Sequence, residues 1–351
     1  VSLLQLLWLT FGAVFLTCLG LVALVVATKV LRTRHERRAA ELVQPHRLHL
    51  VAVAAGEDDD GSHLRALEVV DGEAREPLDD VVLDLLTKVR GAPAEALASL
   101  LLAHGVADRA PHDLRHRNPV RRARAASALG LCNVGSAMPL LVEALKDHSP
   151  QVRVAATSAL GRIGQPSAAR PILAAVGAEH AVPAGPAADA LERMGVGVSP
   201  ALAEGLGADS ATTRTVAAYV SGEGAFSRSV PGLREALAAD PDLTVRETAA
   251  TALGKVGRSD DVLFLLRYAA ADQPLSLRRS AVAALAELGD ASSIDAMAGL
   301  AADDDPRVAE TAAEALLRLG APGRAALDQV PASPAVETAR LVAAMRRGSP
   351  T

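Results

Sequence analysis

Apolar and polar positions fall into contrasting regimes along this chain. Residues 1–28 carry no charged side chain, and the first charge, Lys29, opens a basic run of Arg32, Arg34, Arg37 and Arg38 against Glu36 and Glu41. A helix of that apolar length spans roughly 40 Å, enough for a hydrocarbon core of about 30 Å. The stretch is about twice as long as the apolar core of a signal peptide, and its basic residues follow rather than precede it. The expectation is one transmembrane helix over 1–31, a signal anchor in contact with membrane lipid, then a basic juxtamembrane segment over 32–44. The positive-inside rule places the N-terminus outside and everything after the anchor in the cytoplasm. A cleaved signal and a soluble helix covered on every face are the alternatives.

From about residue 119 the apolar pattern repeats with a period near 31 residues, which is the mark of a solenoid. Two of the copies read Val152-Arg153-Val154-Ala155-Ala156-Thr157-Ser158-Ala159-Leu160-Gly161-Arg162-Ile163-Gly164 and Val245-Arg246-Glu247-Thr248-Ala249-Ala250-Thr251-Ala252-Leu253-Gly254-Lys255-Val256-Gly257. An anchoring apolar position recurs at Leu129, Leu160, Leu191, Val220, Leu253, Leu285 and Leu316, in steps of 31, 31, 29, 33, 32 and 31. Each copy predicts two helices. The first sets small residues around one large one and is stopped by a glycine: Gly135, Gly164, Gly195, Gly224, Gly257, Gly289 or Gly320. The second is shorter and Leu-rich. Asn118-Pro119, Ser149-Pro150, Asp240-Pro241 and Asp305-Pro306 supply a capping side chain followed by proline, a strong start signal. Neither helix can bury its apolar face alone, so stability comes from stacking neighbours.

These residues resemble the HEAT repeat, in the variant V-R-x-x-A-A-x-A-L-G-x-x-G shared with phycobilisome lyase-type HEAT-like proteins. The resemblance covers about residues 112–330 and implies an all-α solenoid of about seven helix pairs. The family's repeat arginine maps onto Arg122, Arg153, Arg214, Arg246 and Arg278. The third copy has Ala184 there, and the seventh reads Arg307-Val308 in reversed order. Residues 45–111 lack the motif but hold apolar-periodic stretches split by Gly56, Gly72 and Gly91, and they predict a helical N-terminal cap. The alternation over 48–53 also suits a strand, though an isolated strand has nothing to pair with. The solenoid extends over 112–331, and a capping helix and tail follow over 332–351. The whole layout resembles membrane-anchored bacterial HEAT-repeat proteins.

Charge narrows the function classes. The net charge is −5, and residues 29–44 contribute five basic and two acidic side chains, so the remainder is more acidic still. Nucleic-acid binding draws on phosphate neutralisation and on aromatic stacking platforms. Only Tyr219, Phe226, Phe264 and Tyr268 lie beyond residue 15 as aromatics, so no nucleic-acid partner is expected. Cys18 and Cys132 are not placed to pair, which fits a reducing compartment.

Candidate chemistry is sparse. His112-Asp113-Leu114-Arg115-His116 superficially resembles the zinc protease helix, but aspartate replaces the glutamate base, and Pro111 puts the motif at a helix start. The acidic loop Glu57-Asp58-Asp59-Asp60 reads as a solvated loop, because a calcium loop needs spaced ligands and a distal glutamate. No catalytic residue, cofactor or metal is expected. A solenoid behind an anchor is expected to be a non-catalytic membrane-anchored scaffold that offers a concave surface to a protein partner, such as a membrane-associated enzyme or complex. The alternative, which the resemblance implies, is a HEAT-like enzyme or accessory factor of chromophore lyase type. Exposed second-helix residues Glu143, Arg170, Arg234, Arg267 and Tyr268 are the candidate partner-binding surface. Arg115, Arg117, Arg121, Arg122 and Arg124 form a candidate basic docking patch, or else Arg122 or Arg124 is the repeat's stacking arginine and the others are solvated.

Overall fold

The computed structural model describes residues 8, 16, 17, 19–23, 26, 29, 30, 33, 34 and 37–348. Among these residues all regular structure is helical. None of their helices is long and apolar enough to cross a membrane. That finding corrects the expected anchor over 1–31 and the localisation built on it, an outside N-terminus with cytoplasmic repeats. Most of 1–31, and the lipid contact expected there, lies outside the described residues. The longest helix described in full has 15 residues. That is about 22 Å, short of a hydrocarbon core of about 30 Å.

The chain divides between Arg109 and Ala110 into two compact units. The first packs α1 (Arg47–Ala55), α2 (Ser62–Glu68), α3 (Arg75–Leu86) and α4 (Ala92–Ala103) around Leu50, Val53, Leu67, Leu78, Val82, Leu97 and Leu100. The alternating stretch over 48–53 is therefore helical. The acidic loop acts as a cap: the Asp58 carboxylate accepts from the amides of His63 at 3.0 Å and Leu64 at 2.8 Å, at the start of α2. One polar network is buried here. His104 Nδ1 lies 2.5 Å from Asp79 Oδ1 and its Nε2 3.2 Å from the Leu67 carbonyl, while Arg109 donates to the other Asp79 oxygen at 3.1 Å. A buried carboxylate is tolerable when it is paired in this way.

The second unit alternates longer and shorter helices. Its pairs are α6 (Pro119–Leu131) with α7 (Met138–Ala144), α8 (Pro150–Ile163) with α9 (Ala169–Val176), α10 (Ala184–Arg193) with α11 (Ser199–Gly205), and α12 (Ala211–Glu223) with α13 (Val230–Ala239). They continue as α14 (Leu243–Val256) with α15 (Asp260–Ala269), α16 (Leu275–Leu288) with α17 (Ile294–Leu300), and α18 (Pro306–Arg318) with α19 (Gly320–Gln329). α20 (Pro334–Gly348) follows and packs Val336 and Ala339 into the core. Before the first pair comes α5 (Val106–Asp113), which contains Pro111 near its end rather than beginning there. His112 lies in the last turn of that helix and His116 beyond its end, where its Nδ1 accepts from the Asn118 amide at 3.0 Å. The two histidines therefore do not share one helix face.

First helices pack on one another through a seam of very small residues. A Cβ added to Gly130, Gly161, Gly222 or Gly254 would fall 2.4, 2.6, 2.8 or 2.6 Å from the Cα of Ala159, Ala190, Ala252 or Ala284. Only hydrogen fits there, so these backbones touch. The seam also sets the register. Gly222 occupies the slot of Gly161, so the anchor of the fourth copy is Ser221 and not Val220. The anchors then step by 31, 31, 30, 32, 32 and 31. Ser221 is fully buried, and its hydroxyl bonds that of Ser229 at 2.8 Å.

The stop position, four residues after each anchor, becomes Asn133, Gly164, Gly195, Ala225, Gly257, Gly289 and Gly320. All except Gly257 have positive φ, between 49° and 76°. Gly135 and Gly224, which sequence alone marks as stops, do not: the left-handed residues beside them are Asn133 and Ala225. One start also moves. α14 is capped by Asp242, which accepts from the amides of Thr244 and Val245, not by Asp240.

Asp240 serves the repeat arginines instead. Arg214 forms a two-point pair with it at 2.6 and 2.8 Å, and donates to the carbonyls of Ala208 and Asp209 at 2.9 Å. Arg122 does the same with Asp147, His116 and Arg117, and Arg278 reaches Asp303. In two copies the arginine takes another partner: the Ala181 carbonyl for Arg153, whose facing loop has no aspartate, and the Gln273 side chain for Arg246. Each arginine thus ties its own loop to the loop of the following copy.

Candidate interaction surfaces

The five second-helix candidates lie on α7, α9, α13 and α15, and the structure uses them differently. Arg170 forms a fork with Glu204 of the next second helix, both bonds 2.6 Å, and its guanidinium holds the Glu204 carboxyl below the usual range. Arg234 reaches across the next interface to Asp261 at 2.6 Å. Both arginines are therefore committed to tying consecutive copies together. Glu143 and Arg267 are exposed. Tyr268 is half-buried, edge-on to Phe264 with ring centroids 5.4 Å apart, and the Arg246 guanidinium lies 5.9 Å from its centre. That ring is positioned by packing, with one edge left to solvent.

The basic patch splits by role. Arg122 is the stacking arginine of the first copy, bound to Asp147. Arg115, Arg117 and Arg121 are exposed around the start of α6, and Arg124 is half-buried on it. A helix start beside exposed guanidinium groups suits an anionic group.

Sequence reasoning missed a third surface, on the first helices. The seam breaks between the third and fourth copies, where Glu192 stands in the glycine slot and Val220 in the alanine slot. A glutamate and a valine cannot approach as Gly161 and Ala190 do, and α10 and α12 run close together over less of their length than other consecutive first helices. Tyr219 stands on α12 beside this break, 46% exposed. Burial, then the charges of Glu223 and Asp189, push the Glu192 carboxyl above its ordinary range. The Tyr219 hydroxyl is raised chiefly by Glu223 and Glu192. Lys255, paired with Glu223, partly offsets this negative field. The available signal was the residue after each anchor, which is glycine in the first, second, fourth and fifth copies and apolar in the sixth and seventh, but glutamate in the third.

The stacked pairs, their glycine–alanine seam and the arginine ties agree with a comparison of sequence: the model of HEAT repeats matches residues 113–192, 199–286 and 264–345. The chain belongs to the HEAT repeat family. No curated protein sequence matches it. Human deoxyhypusine hydroxylase, solved in complex with glycerol, is 21% identical, with 87% of this chain and 96% of that one covered and a TM-score of 0.30. The CpcE–CpcF complex of phycocyanin lyase from Nostoc is 21% identical over 66% of this chain and 91% of that one, with a TM-score of 0.33. Kap95p, solved with RanGDP, is 15% identical over 89% of this chain and 50% of its own, with a TM-score of 0.47. At these identities the likeness is one of fold. The HEAT repeats build surfaces copy by copy, and the side chains described above are what distinguishes one stretch of surface from another.

Proposed function

We propose that this HEAT repeat chain is a non-catalytic scaffold that binds a protein partner along its second helices. The observation that carries the reading is the two cross-copy ion pairs, Arg170–Glu204 and Arg234–Asp261, which join successive second helices into continuous stretches of surface. A surface shared among copies suits a long partner, because each repeat adds a few contacts and none has to supply the whole affinity. Glu143, Arg267 and the free edge of Tyr268 are the contacts on offer.

Cross-linking in cells followed by mass spectrometry tests this. Substituting Arg170→Glu, Arg234→Glu and Arg267→Glu together is expected to abolish cross-links to a specific protein while circular dichroism shows a folded chain. The set His112→Ala, Asp113→Ala and His116→Ala is expected to leave those cross-links and cellular activity intact. Loss of activity from the histidine set, with the cross-links preserved, would replace the scaffold by an enzyme.

A further inference from the structure

We propose that the first-helix face around Tyr219 is a second docking surface, which takes a basic segment of a partner protein by seating a lysine or arginine side chain on the Tyr219 ring. The inference rests on the scaffold reading but uses the opposite layer of helices. Two residues before each anchor, the first helices present Ser127, Ser158, Asp189, Tyr219, Thr251, Ala283 and Glu314 in a row. Tyr219 is the only aromatic in that row and stands above smaller neighbours. Tyrosine is enriched among the few residues that dominate binding energy, because it offers a large rigid surface at low entropic cost.

The surroundings decide the sign of the partner. Asp189 and Glu192 on α10 and Glu223 on α12 all act on the Tyr219 hydroxyl, with Lys255 as the nearby cation. All three carboxylates are exposed: Asp189 stands next to Tyr219 in the row, and Glu223 follows it by one turn of α12. A guanidinium or ammonium placed here would relieve that field and lie against the π-face of the ring, an arrangement favoured by the ring quadrupole. An anionic partner would add to the repulsion. The same chemistry excludes nucleic acid and fits an extended basic stretch laid across α10, α12 and α14.

The test uses the full chain and two synthetic twelve-residue peptides, one carrying three arginines and the other three glutamates in their place, read by fluorescence anisotropy at 50 and 300 mM salt. The arginine peptide is expected to bind and to weaken with salt, and the glutamate peptide not to bind. Tyr219→Ala is expected to weaken binding by about fourfold, as the loss of an exposed cation–π contact does, while Tyr219→Phe keeps it. Glu192→Gln, which leaves the ring in place, is expected to weaken it about threefold. Equal binding by wild type and Tyr219→Ala, or equal binding of the two peptides, overturns the proposal. Sedimentation of the chain alone covers self-association: a dimer dispersed by Tyr219→Ala would make a second copy the occupant and overturn the basic partner. Cellular cross-links lost on reversing the second-helix arginines but kept in Tyr219→Ala would leave the scaffold standing and remove this surface.

Discussion

The interface between the fifth and sixth first helices and the one between the third and fourth are built from the same motif but meet differently. At the former, Gly254 lies against Ala284 so closely that a methyl group would land 2.6 Å from the facing Cα. At the latter, Glu192 and Val220 fill the equivalent slots, and neither is small enough for that approach. Around this second interface α10 has 10 residues against 14 for α14. The fourth copy begins one residue early, and three slots change occupant: serine for the anchor leucine, valine for alanine, alanine for the stop glycine. A solenoid absorbs such a shift because each copy answers only to its neighbours. What changes is the surface, since Asp189, Glu192, Tyr219 and Glu223 stand exposed around this interface.

The largest effect should come from breaking an anchor in a closed stretch. Leu253→Asp or Leu160→Asp places an unpaired charge where the leucine is at most 1% exposed. A loss of about 4 kcal/mol is expected from urea unfolding. An unchanged midpoint would remove the stacked core. The seam itself is next. Gly161→Val or Gly254→Val forces two backbones apart and should cost about 3 kcal/mol. Glu192→Val, at the equivalent slot between the third and fourth copies, should cost less than about 1 kcal/mol. Equal losses at the two slots would mean that the interfaces do not differ.

Much of this arrangement was legible in the sequence. The helix pairs follow from apolar periodicity, and the arginine ties follow the motif from Arg122 to Arg278. The register of the fourth copy was hidden because an alignment guided by apolarity picks Val220, which is buried and adjacent to the true anchor. Arg214, seven residues before Ser221 as Arg246 is before Leu253, carried the correct spacing. The roles of Asp147, Asp240 and Asp303 were not legible, since each lies about 25 residues from its arginine. Arg170 and Arg234 looked available for a partner for the same reason, their acids being on the following copy. The basic run after an uncharged stretch suggested an anchor, but length and apolarity alone do not show what surrounds a helix.

The arginine ties should respond to both mutation and acid. Arg214→Ala strips Asp240 of its main partner, and a loss of about 2 kcal/mol is expected for a pair at the margin of solvent. Arg246→Ala, whose far partner is the neutral Gln273, should cost less. Burial pushes the Asp240 carboxyl up, but the bonds from Arg214 and from the Asp242 amide outweigh it and hold it below the usual range. Asp305 is held lower still, at about 2, by Arg279. Groups whose folded values are depressed contribute stability above their unfolded value, near pH 4, and lose it as pH falls through the folded value. Melting temperature should therefore drop between about pH 4 and pH 2, less steeply in Arg279→Ala or Arg214→Ala. Parallel profiles in the wild type and both variants would show that these pairs are not formed in solution.

The smallest effect falls on the register itself. Ala225 holds φ at 49°, a left-handed value that glycine adopts freely and alanine adopts at a cost. In most other copies a glycine stands at this position. Here the glycine is one residue earlier, at Gly224, and it cannot simply trade places: a Cβ on Gly224 would fall 2.3 Å from the Phe226 ring. The two residues should therefore respond in opposite directions. Ala225→Gly relieves the strain but loosens the unfolded chain, for a net gain of about 0.5 kcal/mol. Gly224→Ala forces the Phe226 ring aside and should destabilise by about 1 kcal/mol or more. Paired urea titrations of the two variants read the difference directly. A destabilised Ala225→Gly alongside a neutral Gly224→Ala would return the stop to Gly224, the anchor to Val220, and the fourth copy to the spacing that apolarity alone suggests.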